Sequence, residues 1–225
     1  MKPLFSNNIQ NILIYASIVL SSLMGVWVLN HLPFIDFRPY KVGNNIQKGM
    51  RIPDGAQKSV VEMVFIYKVG GVDKEFTEKD LMSIPEGAVF VDRKDKVIME
   101  GYVPPIHDFT MEKNGSDYKE EFLEEPKLML ITAYDLDKSD YSGMVKLEKL
   151  NQEATAKGYK VVAMTSSSPE EIASAKKQFG LTFEFYFCDA ITVKTIERAN
   201  PSIILLEKGT IQQKVHHNDI ADLKL

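Results

Sequence analysis

Residues 12–29 (ILIYASIVLSSLMGVWVL) are an 18-residue run with no charge and no proline. At about 1.5 Å per residue it makes a helix of roughly 27 Å, close to the hydrocarbon thickness of a bilayer. The run predicts an uncleaved membrane helix within residues 1–30. A signal peptide would carry a basic leader and a small-x-small cleavage site, whereas here Lys2 stands alone and Val28-Leu29-Asn30-His31 offers no such site. Trp27 and Tyr15 sit near the two ends, where interfacial aromatics belong. Residues 31–57 then change character. Pro33, Pro39 and Gly43-Asn44-Asn45 predict an extended connector.

Over residues 58–102 the period shortens to that of strands. Residues 60–69 (VVEMVFIYKV) predict a strand, Gly70-Gly71 a two-residue turn, and residues 72–77 the return strand. A short helix is expected over 80–84. Residues 88–92 and 96–100 then read as a second hairpin around Arg93-Lys94-Asp95.

The longest organised stretch begins at residues 127–134 (KLMLITAY), where six of eight positions are apolar or aromatic, as suits a strand buried on both faces. Asp140 can cap the next helix, which carries Met144, Leu147, Leu150 and Ala154 on one face and ends at Gly158. Residues 160–164 form the next strand. Ser168-Pro169-Glu170-Glu171 is a capping box with proline at the first helical position, and Gly180 closes that helix. A strand over 182–187, a helix over 191–199 capped by Asp189, and a strand over 202–207 after Asn200-Pro201 complete the pattern. Lys208-Gly209 supplies the final turn.

Composition narrows the function classes. The chain has 225 residues, 44% hydrophobic and 26% charged, which is globular rather than disordered and leaves room for one large or two small domains. A net charge of −4 gives no general attraction to nucleic acid, and none is expected as a partner. Cys188 is the single cysteine, so no intrachain disulfide can form.

This order of elements, with a proline just before a late apolar strand, resembles the thioredoxin-like fold in its peroxiredoxin and thiol-disulfide reductase branch. Val103-Pro104-Pro105-Ile106-His107-Asp108-Phe109 is similar to the Pro-x-Asp-Phe opening of peroxiredoxin-like domains, followed here by the turn Lys113-Asn114-Gly115-Ser116. The expected class is therefore α/β: a thioredoxin-like central sheet flanked by helices over 103–225. A small β-rich subdomain over 58–102 and one N-terminal transmembrane helix precede it. The resemblance implies a Cys-x-x-Cys pair at the end of the first strand, but that place reads Asp135-Leu136-Asp137-Lys138-Ser139-Asp140. It also implies a cis-proline at Pro201, with Asn200 and Pro201 offering backbone to a partner peptide.

Residues 30–46 (NHLPFIDFRPYKVGNNI) resemble the connector after the last membrane helix in DoxX-family membrane proteins of Bacteroidetes type. Those proteins place several membrane helices first and a thioredoxin-like domain after them, so this chain looks like their C-terminal part. The resemblance implies a single-pass inner-membrane protein with its soluble part in the periplasm. The positive-inside count points weakly the other way, with Lys2 before the helix and Arg38 and Lys41 after it.

Candidate chemistry is sparse. Cys188 falls between a strand and a helix, where a thiol is either buried or favoured as thiolate by the helix terminus. Asp135, Asp137 and Asp140 read as a solvated loop and a cap. His107-Asp108 point to opposite faces, and His216-His217-Asn218-Asp219 lack converging ligands, so neither a metal nor a cofactor is expected. Ser17, Ser21 and Gly25 recur every four residues along one stripe of the membrane helix, with Ser22 beside it, and would let another helix approach closely. The expected function is a membrane-anchored, redox-silent thioredoxin-like module that binds a protein partner. That partner would be a membrane protein with several helices, or a second copy through the membrane helix. The alternative is a thiol oxidoreductase component using Cys188 with an external thiol.

Overall fold

A computed structural model describes residues 7–225; Lys2, which entered the charge count above, lies outside them. The described chain divides into two compact units: Met50–His107, and the residues up to Gly49 together with Asp108–Leu225.

The second of these units holds the thioredoxin-like sheet. Its helix α1 (Asn7–Asn30) is long and apolar enough to cross a membrane, and none of its apolar window is buried within the protein. After a short α2 (Ile46–Met50) the unit resumes with a tight hairpin, β4 (Glu112–Lys113) and β5 (Ser116–Asp117), turned through Asn114 and Gly115 at positive φ. Then follow α3 (Lys119–Glu124), β6 (Leu128–Thr132), α4 (Tyr141–Ala156), β7 (Lys160–Thr165), α5 (Pro169–Phe179), β8 (Glu184–Phe187), α6 (Ala190–Ile196), β9 (Ser202–Glu207) and β10 (Thr210–His216).

These strands make one seven-stranded sheet in the order β10-β9-β6-β7-β8-β4-β5. Strand β6 runs parallel to β7 and β7 to β8, while β9 runs antiparallel to β6 and β10 antiparallel to β9. This is the thioredoxin-like fold. All five residues of β6 are buried, because β6 is an inner strand of a mixed sheet, paired on both sides and covered by helices. Met144, Leu147, Leu150 and Ala154 of α4 pack with Met129, Ile131, Ile203 and Leu205 in one core. Each such side chain contributes roughly 1.5–3 kcal/mol on leaving water. Ser168 and Glu171 form the capping box of α5, and Gly180 ends it in the left-handed conformation (φ 66°). Helix α6 stops at Ile196, three residues before the expected 199, because residues 197–200 turn away toward Pro201.

The stretch read as an extended connector contributes to this unit. Tyr40 and Ile46 are each 1% exposed, and residues 43–46 bond to the β9–β10 turn and to Ile211. A proline-rich segment looks like a linker in sequence because the groups that Asn45 and Ile46 bond are more than 160 residues away.

The other unit, Met50–His107, is a three-stranded antiparallel sheet ordered β2-β1-β3: β1 (Val60–Val69), β2 (Val72–Thr77) and β3 (Val89–Met99). Gly70 and Gly71, both at positive φ, close the β1–β2 hairpin. A 3₁₀ turn at Glu78–Ser83 replaces the expected short helix. The expected second hairpin is not formed. Residues 89–99 are one continuous strand paired with β1, so Arg93-Lys94-Asp95 lies mid-strand. Asp92 and Asp95 flanking Arg93-Lys94 look like a turn in sequence, but no glycine, proline or asparagine lies between residues 88 and 100.

Candidate functional site

The loop between β6 and α4 lies where thioredoxin-like enzymes hold their cysteines. It begins as β6 ends at Thr132 and finishes at Asp140, whose carboxylate accepts a hydrogen bond from the Gly143 amide (2.9 Å) as N-cap of α4. Hydrogen bonds to Ser142 and Gly143 hold the Asp140 carboxyl below its ordinary pKa. Asp135 pairs with Lys138 at 2.6 Å within the same loop.

The Asn200–Pro201 peptide is cis and lies across this loop at the start of β9. Asn200 is 8% exposed. Its side-chain amide donates to the Asp135 carbonyl (2.7 Å), its side-chain carbonyl accepts from Ser139 Oγ (3.1 Å), and its backbone carbonyl accepts from the Asp140 amide (2.8 Å). Behind it, Thr132 Oγ1 and Ser202 Oγ share a buried hydrogen bond of 2.6 Å.

His217, in the 3₁₀ turn His217–Asp222 after β10, closes the far side. Its Nδ1 lies 3.0 Å from the Pro201 carbonyl oxygen and its Nε2 3.5 Å from Asp140 Oδ1. The neighbouring His216 ring is 3.9 Å away, centroid to centroid, and its Nδ1 accepts from the Asn218 amide. Burial first, and then the adjacent His217, lower the His216 pKa to about 4.

The end of α1 meets the same turn. Asn218 donates to the Asn30 carbonyl (3.0 Å), His31 Nδ1 is 2.7 Å from Asp219 Oδ1, and Trp27 stacks on His31 and Phe34. Between these contacts and Asn200 lies a cavity of about 610 Å³. Val28, Leu29 and Leu32 form an apolar side, and Arg38, Tyr134 and His217 a polar one. The Lys194 ammonium sits 4.5 Å from the Tyr134 ring centroid.

Beneath it runs a charge network that the sequence reading missed. Arg38 bonds Asp36 (2.8 Å) and Glu197 (2.9 Å), and Lys214 bonds Asp36 (2.9 Å) and lies 3.2 Å from Glu197. The Lys214 and Glu197 side chains are each only 3% exposed. Burial alone would raise the Asp36 pKa, but the hydrogen bonds from Arg38 and Lys214 outweigh it and hold the carboxyl well below its usual range. Its sequence signal is weak, since Asp36 and Arg38 fall in the segment read as a connector and Lys214 falls in no expected element.

Of the sequence-derived candidates, Asn200 and Pro201 come together here with Asp140 and His217. Ser17, Ser21 and Gly25 lie on α1, where the Ser17 and Ser22 hydroxyls donate to the Ile14 and Ile18 carbonyls and Gly25 has open space beside it. Cys188 is fully buried at the end of β8. Burial raises its pKa above the ordinary thiol value, against an opposing contribution from Thr110. His107 contacts the Pro104 carbonyl, whereas Asp108 accepts from Thr192 Oγ1 (2.8 Å), so the two neighbours do not converge. Among the described residues no group of three or more His, Cys, Asp or Glu could hold a metal.

Comparison with known proteins adds little beyond the fold. A family model described as a domain of unknown function (DUF8463) matches residues 61–100, most of the three-stranded sheet. No curated protein matches the chain. Among solved structures, a hypothetical protein from Sinorhizobium meliloti is 18% identical with a TM-score of 0.37, over 46% of this chain and 63% of that one. A thiol-disulfide oxidoreductase from Bacteroides fragilis is 17% identical with a TM-score of 0.39, over 48% of this chain and 86% of that one. A putative thiol:disulfide interchange protein DsbE from Chlorobium tepidum is 15% identical with a TM-score of 0.39, over 48% and 80%. The thioredoxin-like assignment is carried by the strand order itself.

Proposed function

We propose that the protein is a membrane-anchored, redox-silent thioredoxin-like module that binds a protein partner beside the membrane, within a DoxX-type inner-membrane assembly. The observation that carries this reading is the sealing of the loop at residues 135–140. It holds no cysteine, and Asn200 closes it with three hydrogen bonds. Disulfide exchange needs an accessible thiolate, and the only thiol, Cys188, is buried with its pKa raised. Use of Cys188 with an external thiol remains the alternative, and it would require that thiol to become exposed.

Retention of α1 as an anchor is supported by its docked end: cleavage after the helix would discard the Asn30 and His31 contacts to Asn218 and Asp219. The cavity beside that end offers apolar and polar walls to a partner segment. The Ser17, Ser21 and Gly25 stripe offers a companion helix a close approach within the membrane. A periplasmic position of the soluble part is supported by the connector's resemblance to DoxX-family proteins.

Two measurements on the full chain in detergent test the reading. It should not reduce insulin disulfides. A photo-reactive residue replacing Ala199, at the cavity wall, should cross-link in membranes to a protein with several membrane helices. Insulin turnover that is lost in Cys188→Ser would replace this reading with the thiol alternative.

A further inference from the structure

Strand β3 is an edge. It pairs with β1 on one side only, and all eleven of its residues are exposed. Val89, Phe90 and Val91 at one end and Val97, Ile98 and Met99 at the other are each 45–65% exposed. A long open edge with apolar ends is a template for another strand, because its outward N–H and C=O groups have no partner within the sheet.

The sequence of β3 states which strand. It reads Val-Phe-Val-Asp-Arg-Lys-Asp-Lys-Val-Ile-Met, and it is complementary to itself when reversed about Lys94. In that antiparallel register Asp92 faces Lys96, Arg93 faces Asp95, and Val91 faces Val97. Phe90 and Val89 then fall toward Ile98 and Met99. By symmetry each opposite-charge pair occurs twice, and the only directly opposed like charges are the two Lys94, each diagonal to Asp92 and Lys96 of the other copy. Shifting the register by one residue either way sets Arg93 against a lysine, Lys94 or Lys96. Shifting by two sets Lys94 against Lys96 in one direction and Val91 against Asp95 in the other. Cross-strand pairs of opposite charge are favourable and like charges opposite one another are not, so the pattern selects one register. The pairing of β3 with β1 is regular over residues 92–97, with its irregularities outside that span, so the charged centre is a straight template.

We propose that two copies of the chain associate through β3, antiparallel about a two-fold axis at Lys94, joining their three-stranded sheets into one of six strands. The interface is isologous, as a two-fold axis requires. Backbone hydrogen bonds and the apolar ends supply the attraction; the charged centre fixes register and excludes other edges. The other free edge, β2, has six residues, Val-Asp-Lys-Glu-Phe-Thr, and no such symmetry. Strand β3 belongs to the unit Met50–His107, whereas α1 and the cavity at Asn200 belong to the other unit.

Site-directed cross-linking of the full chain in detergent tests it. Directly opposed antiparallel residues have Cα atoms about 4.5–5.5 Å apart, within disulfide range. Lys94→Cys should therefore give a covalent dimer on mild oxidation. Val97→Cys should not, since its two copies would lie roughly 20 Å apart, and the natural chain with only buried Cys188 serves as background. Asp92→Lys should lower the dimer fraction at least five-fold by size-exclusion chromatography with light scattering, and Asp92→Lys with Lys96→Asp should restore it. Restoration also shows that the single variant had not merely unfolded the sheet. A monomeric Lys94→Cys protein, equal cross-linking at Val97→Cys, or dimers indifferent to every β3 change would overturn the proposal; the last would place association elsewhere, such as the membrane helix.

Discussion

A Cβ atom placed on Gly143 would fall 2.8 Å from the His217 Cβ and 3.0 Å from Pro201 Cδ. Gly143 is in the first turn of α4, so the absence of a side chain there lets the turn after β10 press onto the start of the helix. In an ordinary helix Gly→Ala gains about 1 kcal/mol. Here the clash is with the root of a side chain that is itself buried, and overpacking of that kind costs about 1–3 kcal/mol. Gly143→Ala should therefore fail to stabilise, and should lower the melting temperature by a few degrees. A rise in melting temperature would show that His217 can retreat freely.

Asn200 should be more costly to replace than its one polar side chain suggests. Asn200→Ala removes the two side-chain hydrogen bonds to the loop and leaves the Ser139 hydroxyl donating to the Asp135 carbonyl (3.0 Å) alone. A loss of about 1–3 kcal/mol is expected. Hydrogen exchange should quicken at residues 135–140 before it quickens in β6. Unchanged protection of the loop would mean that its other contacts, among them the Leu136 amide on Ser167 Oγ, suffice to hold it.

The charge network predicts an asymmetry between breaking one partner and removing charge in balance. Glu197→Ala leaves Arg38 and Lys214 to share the one carboxylate of Asp36 in a poorly solvated place, and such a loss costs about 3–5 kcal/mol. Glu197→Gln together with Lys214→Met removes one charge of each sign and should cost clearly less than the single change. Denaturant titration of the three proteins measures this directly. Equal costs would indicate that water reaches the network.

Acid should weaken the fold in two steps. The His216 pKa is lowered to about 4, so an unfolded chain takes up this proton at higher pH than the folded one. Stability from this group is complete above the unfolded value near 6.5 and is lost as pH falls toward 4, by up to about 3 kcal/mol. Asp36, also lowered when folded, contributes above its unfolded value near 3.9 and loses that contribution only below it. Thermal melts from pH 7.5 to 3.5 should show the first loss vanish in His216→Gln, and a pH-independent melting temperature above pH 4.5 would refute it.

Much of the thioredoxin-like sheet was legible because its signals are local. The apolar run of β6, the Ser168 capping box and the Gly180 stop each act within a few residues. The site was legible where proline and asparagine mark the backbone at Asn200-Pro201 and where Asp140 caps α4. What stayed hidden depends on distance: Lys214 meets Asp36 across 178 positions, and His217 finds Pro201 only after β9 and β10 have folded back. The misread hairpin in β3 has a different cause. Charged residues in mid-strand look like a turn until one sees that the strand lies at an open edge, where both faces meet solvent.

The docking of Asn30 and His31 onto the turn at Asn218 and Asp219 has a mechanical consequence. With α1 in a bilayer, the thioredoxin-like unit has no slack line on which to swing. Its height above the lipid is set by the length of a helix, and turning the helix about its axis turns the whole unit. Under the proposed function, a partner bound at the cavity wall would be felt as torque on the helix, and a neighbour gripping that helix would aim the cavity.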